Sequence, residues 1–184
     1  MNWVNLPAIS KRCTFSLQTD KLTNVFNRET FEIQLARRID EHKAGMRPTG
    51  FAVLFVDLGH FKKVNDEMGH QVGDTVLMEV ADRLRHSLRS GDIVGRYGGD
   101  EFVVLLHAIE DAEAADRVRE KVRQRMSELL VSLADSIHAR RHVTASIGLA
   151  CYPEDGGDAE SLLYAADQEM YAHKFSERPK LVRS

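Results

Sequence analysis

The chain has 184 residues, of which 43% are hydrophobic and 29% are charged, and its formal net charge is −3. These values fit one globular domain with a substantial core, and the small negative charge provides no basic field for nucleic acid or anionic lipid. The longest apolar run, Phe51 to Val56, is far too short to span a membrane. Cys13 and Cys151 form no CxxC motif, so neither a disulfide framework nor a structural zinc site is expected. Together these features predict a cytoplasmic protein.

The spacing of apolar residues predicts alternating helices and strands after an irregular leader at residues 1–18. A continuous apolar run is typical of a strand that is covered on both faces, whereas apolar residues every three or four positions indicate a helix. The first predicted element is a helical stretch from Asp20 to about Gly45, interrupted near Asn27, and a strand from Phe51 to Asp57 follows it. The remaining predicted elements are, in chain order, a helix over 73–88, a hairpin over 92–107, a helix over 111–137, a strand over 143–151 and a last helix marked by 162–171. This order predicts an α+β fold with a ferredoxin-like βαββαβ core, an antiparallel sheet flanked by helices.

The most informative segment is the turn of the predicted hairpin, Arg96-Tyr-Gly-Gly-Asp-Glu-Phe102. Gly98 and Gly99 tolerate positive φ and lack a Cβ, so the backbone there can approach a ligand closely. Asp100 and Glu101 follow directly, and a bulky anion beside paired carboxylates requires a cation between them. The turn therefore predicts a metal-and-phosphate site, although a solvated turn would also account for two acids after two glycines.

A third acid, Asp57, ends the predicted buried strand, and ligands bind at the carboxyl ends of strands in such folds. The alternative is a plain polar strand terminus. Gly59 follows and precedes a helical turn, an arrangement that can present backbone N–H groups to a phosphate. Lys62 and Lys63 would assist such binding, or they are simply solvated.

Asn65 and Asp74 flank a glycine-containing segment and are candidates for reading a base edge. Guanine offers N1–H and an exocyclic amine to a carboxylate, whereas adenine would present a lone pair at N1. Mismatched polar groups of this kind discriminate strongly between substrates. Asp74 is also suited to capping the following helix, and the two roles are compatible.

Two further charged pairs have both a binding and a structural interpretation. Lys174 and Arg178 are four residues apart on the last predicted helix, so they can hold a triphosphate or simply complement the helix dipole. Arg89 and Asp92 form an RxxD pattern just before the hairpin, which a salt bridge would produce as often as a binding site.

These segments together closely resemble the GGDEF family, the diguanylate cyclases of bacteria, over about residues 19–178. The resemblance leaves 1–18 as a leader or linker end and 179–184 as a C-terminal tail. It implies a palm-like fold shared with nucleotidyl cyclases and polymerases. The matching segments are Asp20–Arg28, Asp57–Asp66, Gly69–Asp74, Arg96–Phe102, Val143–Leu149 and Ala166–Lys174 with Arg178.

The resemblance implies that two GTP condense to cyclic di-GMP with release of two pyrophosphates, and that Mg²⁺ or Mn²⁺ is the cofactor. It also implies a role for each matching residue. The metal would be held by Asp57, Asp100 and the backbone carbonyl of Leu58, and Glu101 would help bind it or activate the attacking 3′-hydroxyl. Guanine would be read by Asn65 and Asp74, the terminal phosphates would be held by Lys174 and Arg178, and further substrate contacts would come from Phe61, Lys62, Gly98 and Gly99. An inhibitory product site would be formed by Arg89 and Asp92.

The expected partners follow from the same resemblance. Each site holds one GTP, and two new bonds join two nucleotides, so two sites must face each other in a homodimer, at least transiently. No sensor is visible in the sequence, so an input domain is expected outside this chain or on a partner.

Two positions depart from the family pattern, and alternatives to catalysis remain. Gly59 stands where the family often has Asp, and Glu177-Arg-Pro179 replaces the usual Gly-Arg-Asn, which affects the phosphate-binding end of the last helix. One alternative is a weak or inactive GGDEF domain that binds GTP or cyclic di-GMP as a regulatory module. Another is a ferredoxin-like regulatory domain unrelated to GTP, which does not explain why Asp57, Asp74 and the Asp100-Glu101 pair occur together.

Overall fold

A computed structural model describes residues 18–136 and 143–176 of the chain. The strands are β1 (Phe26–Asn27), β2 (Gly50–Gly59), β3 (Ile93–Arg96), β4 (Glu101–Ile109) and β5 (Thr144–Tyr152). The helices are α1 (Arg28–Lys43), α2 (Phe61–Met68), α3 (His70–Ser87), α4 (Ala112–Ser136) and α5 (Ala159–Ser176).

The strands form one five-stranded sheet in the order β1-β3-β4-β2-β5. Strand β2 pairs antiparallel with β4 on one side and with β5 on the other, and β3 pairs antiparallel with β4. Only the two-residue β1 runs parallel to its neighbour β3 within this sheet. The predicted βαββαβ core and its antiparallel sheet are confirmed.

Helices cover both faces of the sheet, and β2 is buried between them. Nine of its ten residues are buried, as its continuous apolar sequence predicts. Successive side chains of a strand point to opposite faces, so β2 contributes to two separate cores. Leu54, Val56 and Leu58 pack with α3 and α4 on one face. Phe51 and Phe55 pack with α1 and α5 on the other.

The predicted helical stretch from Asp20 is wrong in its first part. The segment forms a turn in which the Asn24 N–H donates to the Asp20 carbonyl at 2.9 Å, and Asn24 has a left-handed φ of 56°. The helix starts only at Arg28, because the Asn27 side chain accepts a hydrogen bond from the Thr30 N–H at 2.9 Å and caps the helix there.

The segment after β2 also differs from the prediction. Strand β2 continues two residues beyond Asp57. Two helices, α2 and α3, follow it instead of one turn and one helix. Gly69, with a φ of 86°, separates α2 from α3, which begins at His70 rather than at 73. Asp74 is therefore the fifth residue of α3, and the prediction that it caps this helix is wrong.

The last helix packs closely on the edge strand β5, and Gly148 makes this possible. A Cβ at Gly148 would collide with the carbonyl oxygen of Ala166 and with the backbone of Met170. The missing side chain lets α5 lie directly on the strand. This contact therefore determines where the last turn of α5 lies relative to the end of β2.

Candidate functional site

The candidate site is built around Asp57, near the end of the central strand. Asp57 lies opposite Glu101 on β4 and opposite Ser146 on β5, and it is 8% exposed. Its Oδ1 accepts a hydrogen bond from the Lys174 ammonium at 2.6 Å. The fold thus brings together an acid of β2, an acid of β4 and a lysine of α5, as the sequence predicted for the acids.

The turn at 97–100, which joins β3 to β4 and is called the signature turn below, is held by its own backbone and by Arg96. The Tyr97 N–H donates to the Glu101 carbonyl at 2.9 Å. The Arg96 guanidinium donates to the Gly98 carbonyl at 3.2 Å and to the Gly99 carbonyl at 2.7 Å. It also donates to Asp20 Oδ1 at 3.1 Å, which ties the turn to the segment before β1.

Neither glycine of the turn adopts an unusual backbone conformation, and only Gly98 is required for close packing. Neither Gly98 nor Gly99 has a left-handed φ, so the expected use of positive φ is not found. A Cβ at Gly98 would lie 2.5 Å from Glu101 Oε2, whereas a Cβ at Gly99 would meet no protein atom within 4 Å. The Glu101 carboxylate therefore lies over the turn, and the Gly99 side of the turn is open.

The acids of the site repel one another. Burial, and then the charge of Asp57, raise the pKa of Asp100. Burial, followed by the charges of Asp57, Asp100 and Asp167, raises the pKa of Glu101. Lys174 lowers both pKa values. A cation beside these three carboxylates is therefore favoured. In the described structure the Lys174 ammonium, bound to Asp57, is such a cation.

Asp167 is a contributor that the sequence analysis missed. It lies on α5 seven residues before Lys174, a spacing of two helical turns that places both residues on one face. That spacing was a signal that could have pointed to it. With Glu101, Asp167 lines a cleft of about 600 Å³ between α1 and α5.

The donor chemistry fits a hard divalent cation, although a gathered metal cluster is not present. Within 18–136 and 143–176, no three His, Cys, Asp or Glu side chains converge on a common point. Asp57 and Asp100 offer carboxylate oxygens, the ligands that Mg²⁺ prefers. The Leu58 N–H donates to the Asp100 carbonyl at 3.2 Å, so the backbone of Leu58 lies beside this acid.

Asn65 and Asp74 lie on either side of the junction between α2 and α3. A Cβ at Gly73 would collide with the Asn65 amide oxygen, so Asn65 lies against the residue next to Asp74. Asp74 is exposed on the first turns of α3. Phe61 is 8% exposed and packs in the core, whereas Lys62 is exposed. The junction therefore presents one amide and one carboxylate to the surface.

Of the predicted phosphate-binding pair, Lys174 is in contact with Asp57, and Arg178 lies outside the described residues. The Glu177–Pro179 departure lies outside them as well. The Gly59 departure is within the structure, where Gly59 pairs with Thr144 across the sheet. A Cβ at Gly59 would collide with the Thr144 hydroxyl oxygen.

The RxxD residues line a second cleft of about 280 Å³ beside β1. Arg89 is exposed there, and Arg85, which the sequence analysis did not select, lines the same cleft. The Asp92 carboxylate accepts hydrogen bonds from the Arg89 N–H at 3.0 Å and from the His107 N–H at 2.9 Å. Asp92 thus connects this cleft to β4, the strand that carries Glu101.

Comparison with known proteins identifies the family. The model described as "Diguanylate cyclase, GGDEF domain" matches residues 17–180. The chain is 43% identical over 155 residues to the bifunctional diguanylate cyclase/cyclic di-GMP phosphodiesterase MucR of Pseudomonas aeruginosa, a match that covers 84% of this chain and 22% of MucR. The chain spans about a fifth to a third of the length of the first curated relatives that it matches.

Solved structures agree with this match. The GGDEF domain of TpbB (also called YfiN) from Pseudomonas aeruginosa superposes with a TM-score of 0.72 at 35% identity, covering 85% of this chain and 94% of that domain. The coiled coil and GGDEF domain of DgcB from Caulobacter crescentus, solved in complex with c-di-GMP, gives a TM-score of 0.74 at 27% identity, covering 91% of this chain and 86% of that one. No helix in the described part of the chain has the length and apolar character needed to cross a membrane.

Proposed function

The chain belongs to the GGDEF family of diguanylate cyclases, and we propose that it condenses two GTP into cyclic di-GMP with release of two pyrophosphates. The observation that supports this proposal most is the meeting of Asp57 and Glu101 across neighbouring strands, with Asp100 and Lys174 beside them. The strand acid and the acid pair of the turn thereby lie at the same end of the sheet, close to the lysine of α5.

The proposed mechanism divides the work among the charged groups. Asp57, Asp100 and the Leu58 carbonyl would hold Mg²⁺ or Mn²⁺, whose charge stabilises the leaving pyrophosphate. Lys174 would contact the terminal phosphates together with Arg178. The open side of the turn at Gly99 leaves room for the phosphate chain.

Glu101 is the proposed acceptor for the proton of the attacking 3′-hydroxyl, or a further ligand of the metal. Its raised pKa makes it a better base than an ordinary carboxylate. Asn65 and Asp74, at the junction of α2 and α3, would read guanine. Asp74 is exposed and Asn65 is half-buried, which leaves the carboxylate and part of the amide available for a base edge.

The active form is proposed to be a homodimer, at least during turnover. The chain presents one set of site residues, and cyclic di-GMP needs two bonds between two nucleotides. Two copies must therefore bring their sites face to face. Cyclic di-GMP would also bind the cleft at Arg89 and Asp92 and inhibit the reaction, and the contact between Asp92 and β4 supports communication with the site.

We place the domain at 19–178 and infer that it works in the cytoplasm, where GTP is available. Since the match covers only 22% and 34% of the first two curated relatives, we also propose that an input domain controls it. A second function is compatible with the RxxD cleft, which lies apart from the acids: a weak or inactive domain that binds GTP or cyclic di-GMP as a regulatory module.

The direct test is incubation of the chain with GTP and Mg²⁺, with the product identified by mass. We expect cyclic di-GMP from the parent protein, and a rate lower by at least about two orders of magnitude from Asp57→Asn, because a site that loses a metal ligand loses several kcal/mol of stabilisation. Asp40→Asn, at an exposed acid of α1, is the matched control and should keep its rate. A parent protein that folds, binds cyclic di-GMP and makes none would favour the regulatory module.

A further inference from the structure

The ion pair between Lys174 and Asp57 has a consequence for how the site is loaded. The Lys174 ammonium lies 2.6 Å from Asp57 Oδ1, and the two side chains are 35% and 11% exposed. The buried partner, Asp57, is the acid at the centre of the site. The lysine thus neutralises the carboxylate on which a metal ion depends.

Other acids of the site lie beside this ion pair. Asp57 is opposite Glu101 across β2 and β4, and Asp100 directly precedes Glu101. A divalent cation bound at Asp57 would therefore meet a positive charge that is already in contact with its ligand.

The side chain of Lys174 is free to change partners. Lysine carries a compact charge on a flexible four-carbon stem, and about a third of this side chain is open to solvent. A nucleoside triphosphate offers the ammonium several anionic oxygens. Movement of the lysine from the carboxylate to a phosphate would expose Asp57 to the metal at the moment when the nucleotide arrives.

We propose that Lys174 is an internal counter-ion that competes with the divalent cation for Asp57, so that metal and triphosphate bind cooperatively and the metal alone binds weakly. This inference rests on the proposed function, because the triphosphate is its substrate. By linkage, the factor by which the nucleotide improves metal affinity equals the factor by which the metal improves nucleotide affinity. The free domain is thereby kept from holding a metal without substrate.

The test measures binding of Mn²⁺ alone, without nucleotide, by electron paramagnetic resonance of the free ion. Lys174→Gln should bind Mn²⁺ about tenfold more tightly than the parent protein, within the usual range of coupling between sites. Lys174→Arg keeps the charge and should bind as weakly as the parent. Lys121→Gln removes an exposed charge of α4 and should also leave the affinity unchanged.

A second variant locates the effect at Asp57. In the double variant Lys174→Gln with Asp57→Asn, the gain in Mn²⁺ affinity should disappear. Unchanged or weaker Mn²⁺ binding by Lys174→Gln, or a gain that persists without Asp57, would overturn the inference. Lys174→Met serves the same purpose should the glutamine variant fail to fold, as judged by circular dichroism. None of these readouts involves turnover, so they test the counter-ion role of Lys174 even in a chain that makes no cyclic di-GMP.

Discussion

At the scale of single residues, the charged groups of the site differ in how their surroundings fix them. Asp57 is held by the sheet and by Lys174, whereas the Glu101 carboxylate lies over a glycine that has no side chain to displace it. Asp74 is exposed on a helix and serves no cap. Substitutions at these positions should therefore separate effects on chemistry from effects on folding.

Guanine selectivity is expected to depend on Asp74. Asp74→Ala should raise the KM for GTP and reduce the preference for GTP over ATP by at least about tenfold, because the base loses its carboxylate acceptor. The position is exposed and caps no helix, so stability should change by no more than about 0.5 kcal/mol. Steady-state kinetics with both nucleotides measure the preference, and Glu79→Ala on the same helix is the control. A folded Asp74→Ala protein with undiminished preference would assign base reading to another residue.

The pH dependence of stability should reveal the repulsion at Glu101. Burial and the neighbouring acids raise the pKa of Glu101 in the folded chain, so the folded state binds this proton more tightly than the unfolded state does. Stability contributed by this group is therefore greatest at low pH and is lost as the pH rises through the raised pKa. We expect Glu101→Gln to raise the thermal midpoint at neutral pH, and the gain to vanish below about pH 4.3, the ordinary glutamate pKa.

Thermal unfolding followed by circular dichroism across this pH range provides the measurement. Glu67→Gln, at an exposed position of α2, should show no such pattern. A Glu101→Gln protein that is less stable than the parent at neutral pH would mean that the carboxylate is stabilised by its neighbours rather than strained.

At the scale of elements, the site depends on how closely α5 lies on β5. Two contacts define this arrangement: the backbone approach at Gly148, and the ion pair between Lys174 and Asp57 two turns of α5 beyond Ala166. The signature turn is positioned in a different way, by the hydrogen bonds of Arg96 to its carbonyl groups and to Asp20. The helix and the turn thus approach Asp57 from separate elements.

Gly148→Ala should test the contribution of the close helix–strand contact. The added methyl group meets backbone atoms that cannot rotate away, so we expect a loss of about 1–3 kcal/mol in the free energy of unfolding. Displacement of α5 should also lower the rate of any nucleotidyl transfer. Gly157→Ala is the control, since a Cβ there meets no atom within 4 Å. Equal urea midpoints for the two variants would show that α5 adjusts without cost.

At the scale of the whole molecule, the sequence predicted the sheet and the acids but not every contact between them. The apolar run of β2 and the glycine turn were sufficient to predict the core and to select Asp57, Asp100 and Glu101. The interruption near Asn27 was predicted, but the helical assignment from Asp20 up to it was wrong, because the cap formed by Asn27 starts the helix only at Arg28. Such local competition is decided by a few hydrogen bonds.

Contacts between distant segments were beyond the sequence analysis. Lys174 and Asp57 are 117 residues apart, and their pairing depends on the register of α5 over the sheet. Lys174 was selected for its spacing from Arg178, which says nothing about a carboxylate on β2. The seven-residue spacing of Asp167 and Lys174 indicated a shared face of α5, but not that this face lies near Glu101, where the charge of Asp167 acts.

The central claim is that two copies of this site together convert GTP to cyclic di-GMP. Its most direct test is the initial rate of cyclic di-GMP formation, identified by mass, over a hundredfold range of protein concentration, with light scattering at each concentration. We predict that the chain makes cyclic di-GMP and that its specific activity rises with concentration as monomers pair by mass action. Absence of cyclic di-GMP at every concentration, or a constant specific activity from a chain that stays monomeric throughout, would contradict this account.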